Sequence, residues 1–182
     1  MVKQSRSHAS TNYLARLDYE SYLIHCTWME YALKLAQTAA KLGEVPVAAL
    51  VVGDRGDLLA EAVNRKVREQ DPTAHAEILA IRTATKAIQS CYLQECTLYV
   101  TLEPCPMCAG AIIHSRLNLL VYGASDPKTG AIRTVTNLPD SCCSSHRLQV
   151  LAGIKEEPCR RQLQTWFARQ RQQNNTSLTP EI

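Results

Sequence analysis

With 182 residues, 46% of them hydrophobic and 20% charged, the chain suits one globular domain that buries its core without staples. No apolar run approaches the roughly 20 residues that span a bilayer, so no membrane association is expected. The net charge of +3 is a weak pointer to a polyanionic partner, because mildly basic solvated surfaces are common.

The eight cysteines do not suggest a secreted framework, since the opening residues carry no apolar signal region. A reducing cytoplasm is expected, where paired cysteines bind metal more often than they form disulfides. Residues 1–20 are polar and aperiodic and read as a tail. From about 22 to 42, Trp28, Ala32, Leu35, Ala36 and Ala39 recur at helical spacing, and Gly43 stops that helix. VPVAALVV, 45–52, reads as a strand buried on both faces, and GDRGD turns the chain into a second strand over 58–63. Asn64 opens a polar connection that leads to the helical run AHAEILAIRTATKAIQS, which Asp71 or Thr73 is placed to cap. Cys91 and Cys96 read as structural. Further strands are expected over 97–103 and 118–124, with a helix over 105–116 between them. The polar segment 125–147 is long enough to be a functional loop. RLQVLAG offers a short last strand, and Glu156, Glu157 and Pro158 start a helix reaching about 173 before a second polar tail.

Two runs carry chemistry. Cys105 and Cys108, three apart at a helix start, can grip one ion from the same side, with Pro106 at the first helical position. His75 and Glu77 stand two apart, about 200° around a helix, so they converge on an ion only if the helix points its N-terminus at it. Two helix starts are therefore expected to meet at the metal. Three ligands leave the fourth tetrahedral position for water, whose pKa zinc lowers to roughly 7. Glu77, off the metal, is then placed to pass a proton to a substrate ring nitrogen, which is hydrolytic deamination of a nucleobase. A fourth ligand from Cys142, Cys143 or His146 would instead close the site into a structural one, and a Cys-x-x-Cys run alone also occurs in redox proteins.

HAE followed by PCPMC resembles the His-x-Glu…Pro-Cys-x-x-Cys signature of the zinc-dependent nucleoside deaminases. EVPVAA, Asn64, DPTAHAEILA, TLYVTLEPCPMCAGAIIHSR and DPKTGA are similar to the bacterial-type tRNA-specific adenosine deaminases, and the resemblance runs from about Trp28 to Arg171. It implies a three-layer α/β/α cytidine-deaminase-like fold over 21–173, with a mixed central sheet of about five strands flanked by helices. It also implies zinc, one per subunit, held by His75, Cys105 and Cys108, with Glu77 as proton shuttle. Asn64 and the backbone at Ala76 would hold the base, and Pro46, Val47 and Pro104 would line the pocket. Asp126 and Lys128 would lie on a tRNA-facing loop with His146 and Arg147 at its far end. The implied partner is the anticodon arm of an arginine tRNA, converted from adenosine to inosine at its wobble position by a homodimer.

The sequence departs from that family at Ala48, often Gly, at Ser125, basic in some members, and most of all over LPDSCCSSH. On the last helix Arg160, Gln164, Phe167 and Arg171 share one stripe, suited either to stacking on RNA or to anchoring Phe167 in the core. The competing activities are deamination of a free base or nucleoside, and a catalytically silent zinc-folded RNA-binding module.

Overall fold

The computed structural model describes residues 17–176, so most of the two expected tails, 1–16 and 177–182, lies outside the described residues. The first helix, α1 (Tyr19–Lys41), begins earlier than the apolar spacing indicates, because the Asp18 carboxylate accepts from the Ser21 amide at 2.7 Å and caps it. It ends where Gly43 takes a φ of +79° and the Glu44 amide turns back to the Ala39 carbonyl at 3.0 Å. Strand β1 (Ala48–Val52) starts three residues into its apolar run: Pro46 has no amide to donate, and the Val47 amide closes a local turn onto the Val45 carbonyl. The remaining elements are β2 (Leu58–Val63), α2 (Ala76–Ala87), β3 (Thr97–Leu102), α3 (Pro106–His114), β4 (Leu119–Ala124), β5 (Gln149–Ala152) and α4 (Glu156–Thr176).

The strands form one mixed sheet in the order β2-β1-β3-β4-β5. β1 runs antiparallel to β2 and β3, whereas β3, β4 and β5 are parallel. Alternation along β1 sends Ala49 and Val51 to one face and Leu50 and Val52 to the other. The first face packs on Ala80 and Ala84 of α2 and Ile112 of α3; the second packs on Met29 and Ala32 of α1 and Cys159 of α4. The expected three-layer α/β/α arrangement follows. Residues 125–148 make the β4-to-β5 crossover without a helix, and Ala131, Ile132 and Leu138 pack on the α2/α3 side in its place.

The registers decide what lies together. Ala48 pairs with Val63, Leu102 with Ala124, and the Ala48 amide bonds the Thr101 hydroxyl, so residues 46–48, 63–64, 102–104 and 124–126 share one edge of the sheet. The opposite edge holds the pair Leu119 and Gln149.

Where β4 meets α4 there is no room for a side chain at Gly123, whose Cβ would run into the Cys159 sulfur and lie 2.9 Å from the Thr101 carbonyl oxygen. Gly123→Ala is expected to destabilise the protein by about 1–3 kcal/mol in urea unfolding, with part of the loss recovered by adding Cys159→Ala.

Candidate active site

Two helix starts meet at the crowded edge of the sheet. His75 is the N-cap of α2, in extended backbone with φ −75° and ψ 150°, and makes no side-chain capping bond. Its ring is therefore free to point away from its own helix. Cys105 is the N-cap of α3, Pro106 follows in the first turn, and Cys108 lies one turn on, fully buried. The ligand atoms of His75, Cys105 and Cys108 all lie within 4.8 Å of one another. His75 Nδ1 stands 3.7 Å from the Cys105 sulfur and 3.5 Å from the Cys108 sulfur. An ion about 2.3 Å from sulfur and about 2.0–2.1 Å from nitrogen, at tetrahedral angles, requires an N···S separation of about 3.6 Å. The three side chains fit a zinc-sized ion. Among the described residues no fourth His, Cys, Asp or Glu joins the group.

The charges suit that ion. A hydrogen bond from the Cys108 thiol lowers the Cys105 thiol to about 5 against the cost of burial, with the amides of Cys108 and Met107 and the charge of His75 helping. That same bond and burial push the Cys108 thiol up. A bound cation would favour the thiolate at both sulfurs. Glu77, in the first turn of α2, is buried beside the ligands. Burial raises its carboxyl above the ordinary range, opposed by its own backbone amide, while the Cys105 sulfur adds to the rise.

Asn64 is 7% exposed, and its Nδ2 donates to Glu44 Oε2 at 3.0 Å. Because a carboxylate only accepts, this bond fixes the amide orientation and turns Oδ1 toward the remaining space. Glu44 is itself buried and takes the Arg68 amide at 2.7 Å on its other oxygen. The Asn64 amide bonds the Val47 carbonyl at 3.0 Å, joining it to Pro46 and Val47. Ala76, the first helical residue of α2, has an amide with no intrahelical partner. Pro104 precedes the first cysteine, and its carbonyl accepts from the Ala131 amide at 2.9 Å, which brings the Asp126–Lys128 turn beside α3. Asp126 itself is engaged in that turn, bonding the Lys128 amide and the Thr129 hydroxyl.

Other residues lie apart from this edge. His146 and Arg147 stand at the far end of the same loop: His146 Nε2 bonds the Leu117 carbonyl at 2.6 Å, ahead of β4, and Arg147 leads into β5 there. The crossover has by then carried the chain to the opposite edge. Cys142 and Cys143 are exposed and take no part in the cluster. Asp71 and Thr73 do not cap α2, because the Asp71 carboxylate closes a local turn on the amide and hydroxyl of Thr73. Cys91 is exposed, whereas Cys96 is buried.

Phe167 is 44% exposed and packs edge-on against Trp166, so it is not a core anchor. Arg160 of the same stripe is held by Glu156 and Glu157. Beside Trp166 a groove of about 530 Å³ runs between α1 and α4, lined by Lys41, Pro46, Arg161 and Arg169. Two acids escape the motif reading, Glu44 and Glu103. The signal for each was an acid embedded in an apolar run, EVPVAA and TLYVTLEP.

The MafB19-like deaminase family matches residues 24–156. The chain is 49% identical over 145 residues to the tRNA-specific adenosine deaminase of Haemophilus influenzae, which covers 80% of this chain and 84% of that protein. It is 44% identical over 140 residues to the tRNA-specific adenosine deaminase of Bacillus subtilis, covering 77% of this chain and 86% of the relative. A solved tRNA:A34 deaminase superposes with a TM-score of 0.72 at 41% identity, over 74% of this chain and 97% of that one. A guanine deaminase from Nitrosomonas europaea superposes with a TM-score of 0.65 at 29% identity, over 77% and 82%. The ligand triad, the buried acid beside it and this degree of likeness along most of the chain lead to one assignment: the chain belongs to the tRNA-specific adenosine deaminases.

Proposed function

We propose that the protein converts adenosine to inosine at the wobble position, 34, of an arginine tRNA with anticodon ACG, as a cytoplasmic zinc-dependent homodimer. The observation that carries the chemistry is the His75, Cys105 and Cys108 cluster, with its tetrahedral spacing and a buried Glu77 beside it. Relatives named for this activity support the substrate. Among the described residues no helix is long and apolar enough to cross a membrane.

His75, Cys105 and Cys108 would hold zinc, which when bound makes water nucleophilic near neutral pH. Glu77 takes the proton that this water gives up and delivers it to adenine N1. Once the hydroxyl oxygen has bonded to C6, Glu77 takes that hydroxyl's proton and passes it to the amino group, so that the C6–N bond breaks, ammonia leaves and the C6 carbonyl of inosine remains. Asn64, locked by Glu44, presents its oxygen as an acceptor to the flipped base, and Pro46, Val47 and Pro104 close around the ring. Asp126 and Lys128 lie on the adjoining turn, where they face the flanking nucleotides, and Phe167 offers an exposed ring for stacking.

The likeness to a guanine deaminase favours a second reading, deamination of a free purine by the same apparatus. Incubation with an ACG anticodon stem-loop, and separately with guanine, cytosine and cytidine, separates the two. Inosine in the RNA is expected; product from a free base alone would overturn the tRNA reading. Glu77→Ala is expected to retain zinc by elemental analysis while kcat falls about 10²–10⁴-fold. Cys108→Ala is expected to lose both metal and activity. Glu44→Ala frees Asn64 to rotate and should raise KM for the stem-loop about tenfold with zinc content unchanged.

A further inference from the structure

Glu103 follows the last residue of β3 and is 2% exposed, yet among the described residues it has no cationic partner. Five donors converge on its carboxylate, and all come from the segment 126–134. Oε1 accepts the amides of Ile132 at 3.2 Å, Arg133 at 2.8 Å and Thr134 at 3.0 Å. Oε2 accepts the Asp126 amide at 3.1 Å and a short bond from the Thr134 hydroxyl. The Arg133 guanidinium, which could have paired with it, donates instead to the Val150 carbonyl at 3.1 Å.

The backbone on either side of Glu103 makes further ties. Its own amide bonds the Ala124 carbonyl at 2.8 Å, and the next carbonyl, of Pro104, takes the Ala131 amide. Gly130 lies so close that a Cβ there would stand 2.5 Å from Glu103 Oε2 and 2.6 Å from the Asp126 carbonyl oxygen. The loop is wrapped around one buried anion.

Such an arrangement is an anion nest turned inward, with backbone dipoles in place of a counter-charge. Oriented amides of this kind serve a carboxylate well, because hydrogen bonds to a charged acceptor are about twice as strong as neutral ones. The carboxylate also stands two residues before the ligand Cys105. One side chain therefore fixes the turn carrying Asp126 and Lys128 relative to α3.

The geometry points to Glu103 as a positioning residue for RNA binding: its carboxylate sets the 126–134 loop against the metal-ligand helix, so that the substrate-facing turn is held ready before RNA arrives. This rests on the tRNA reading above. Glu103 touches neither substrate nor metal in this role, and its effect is on affinity.

Glu103→Gln keeps the size of the side chain but puts an NH₂ against donors. In the full-length, zinc-loaded protein it is expected to raise KM for the ACG stem-loop about tenfold or more, with kcat at saturating RNA within about threefold of wild type. Hydrogen exchange should quicken at the amides of Asp126 and of residues 132–134 and stay unchanged in α2 and α3. Should Glu103→Gln fail to fold, Thr134→Val, which removes one donor and leaves the charge, carries the same test. It is expected to raise KM about threefold with kcat kept. A lower melting temperature with wild-type KM, or a fall in kcat with KM unchanged, would overturn the role of Glu103. A wild-type protein that makes no inosine would instead sink the tRNA reading, and this proposal along with it.

Discussion

The whole site depends on the parallel pairing of β3 with β4 and the antiparallel pairing of β1 with both of its neighbours. Those registers put the ends of β2, β3 and β4 and the start of β1 on one edge. Helix α3 leaves β3 at that edge, and α2 begins there after the connection from β2. Their positive N-terminal ends therefore face one another across a small space. Two sulfurs and a buried carboxyl are tolerable in that space because helix amides supply compensating charge, to which a bound cation would add.

The polar groups around the site are ordered by a second tier of buried acids. Glu44 takes the nitrogen of Asn64 and the amide of Arg68, so the Asn64 side chain has one orientation. Glu103 does the same for a loop, through backbone amides instead of a side chain. In both cases an acid is buried among neutral donors, with no ion pair among the described residues.

Much of this was legible before any coordinates. Periodicity and turn residues gave the alternation of strands and helices, since the buried runs over β1 and β4 and the amphipathic α1 are dictated by local burial alone. The triad was legible because Pro-Cys-x-x-Cys and His-x-Glu impose local geometry, and the resemblance supplied their joint meaning. What stayed hidden depends on tertiary register. The resemblance puts His146 and Arg147 at the far end of the loop that carries Asp126, but not where that end lies. The helix-free crossover takes it to the opposite edge of the sheet, at the Leu117 carbonyl. The cap at Asp18 lay outside the apolar pattern, and Asp71 was spent on its own turn. Glu103 was invisible for the same reason as its loop: all five donors lie more than 20 residues downstream.

The spacing of the ligands along the chain has a consequence for how the protein matures. His75 and Cys105 are 30 residues apart, and the segment between them contains all of α2 and β3. An ion gripping both ends acts as a reversible cross-link that closes this loop and removes chain entropy from the unfolded ensemble. Bound metal would thereby stabilise the fold as well as serve turnover, and its loss would shift the balance toward the unfolded chain.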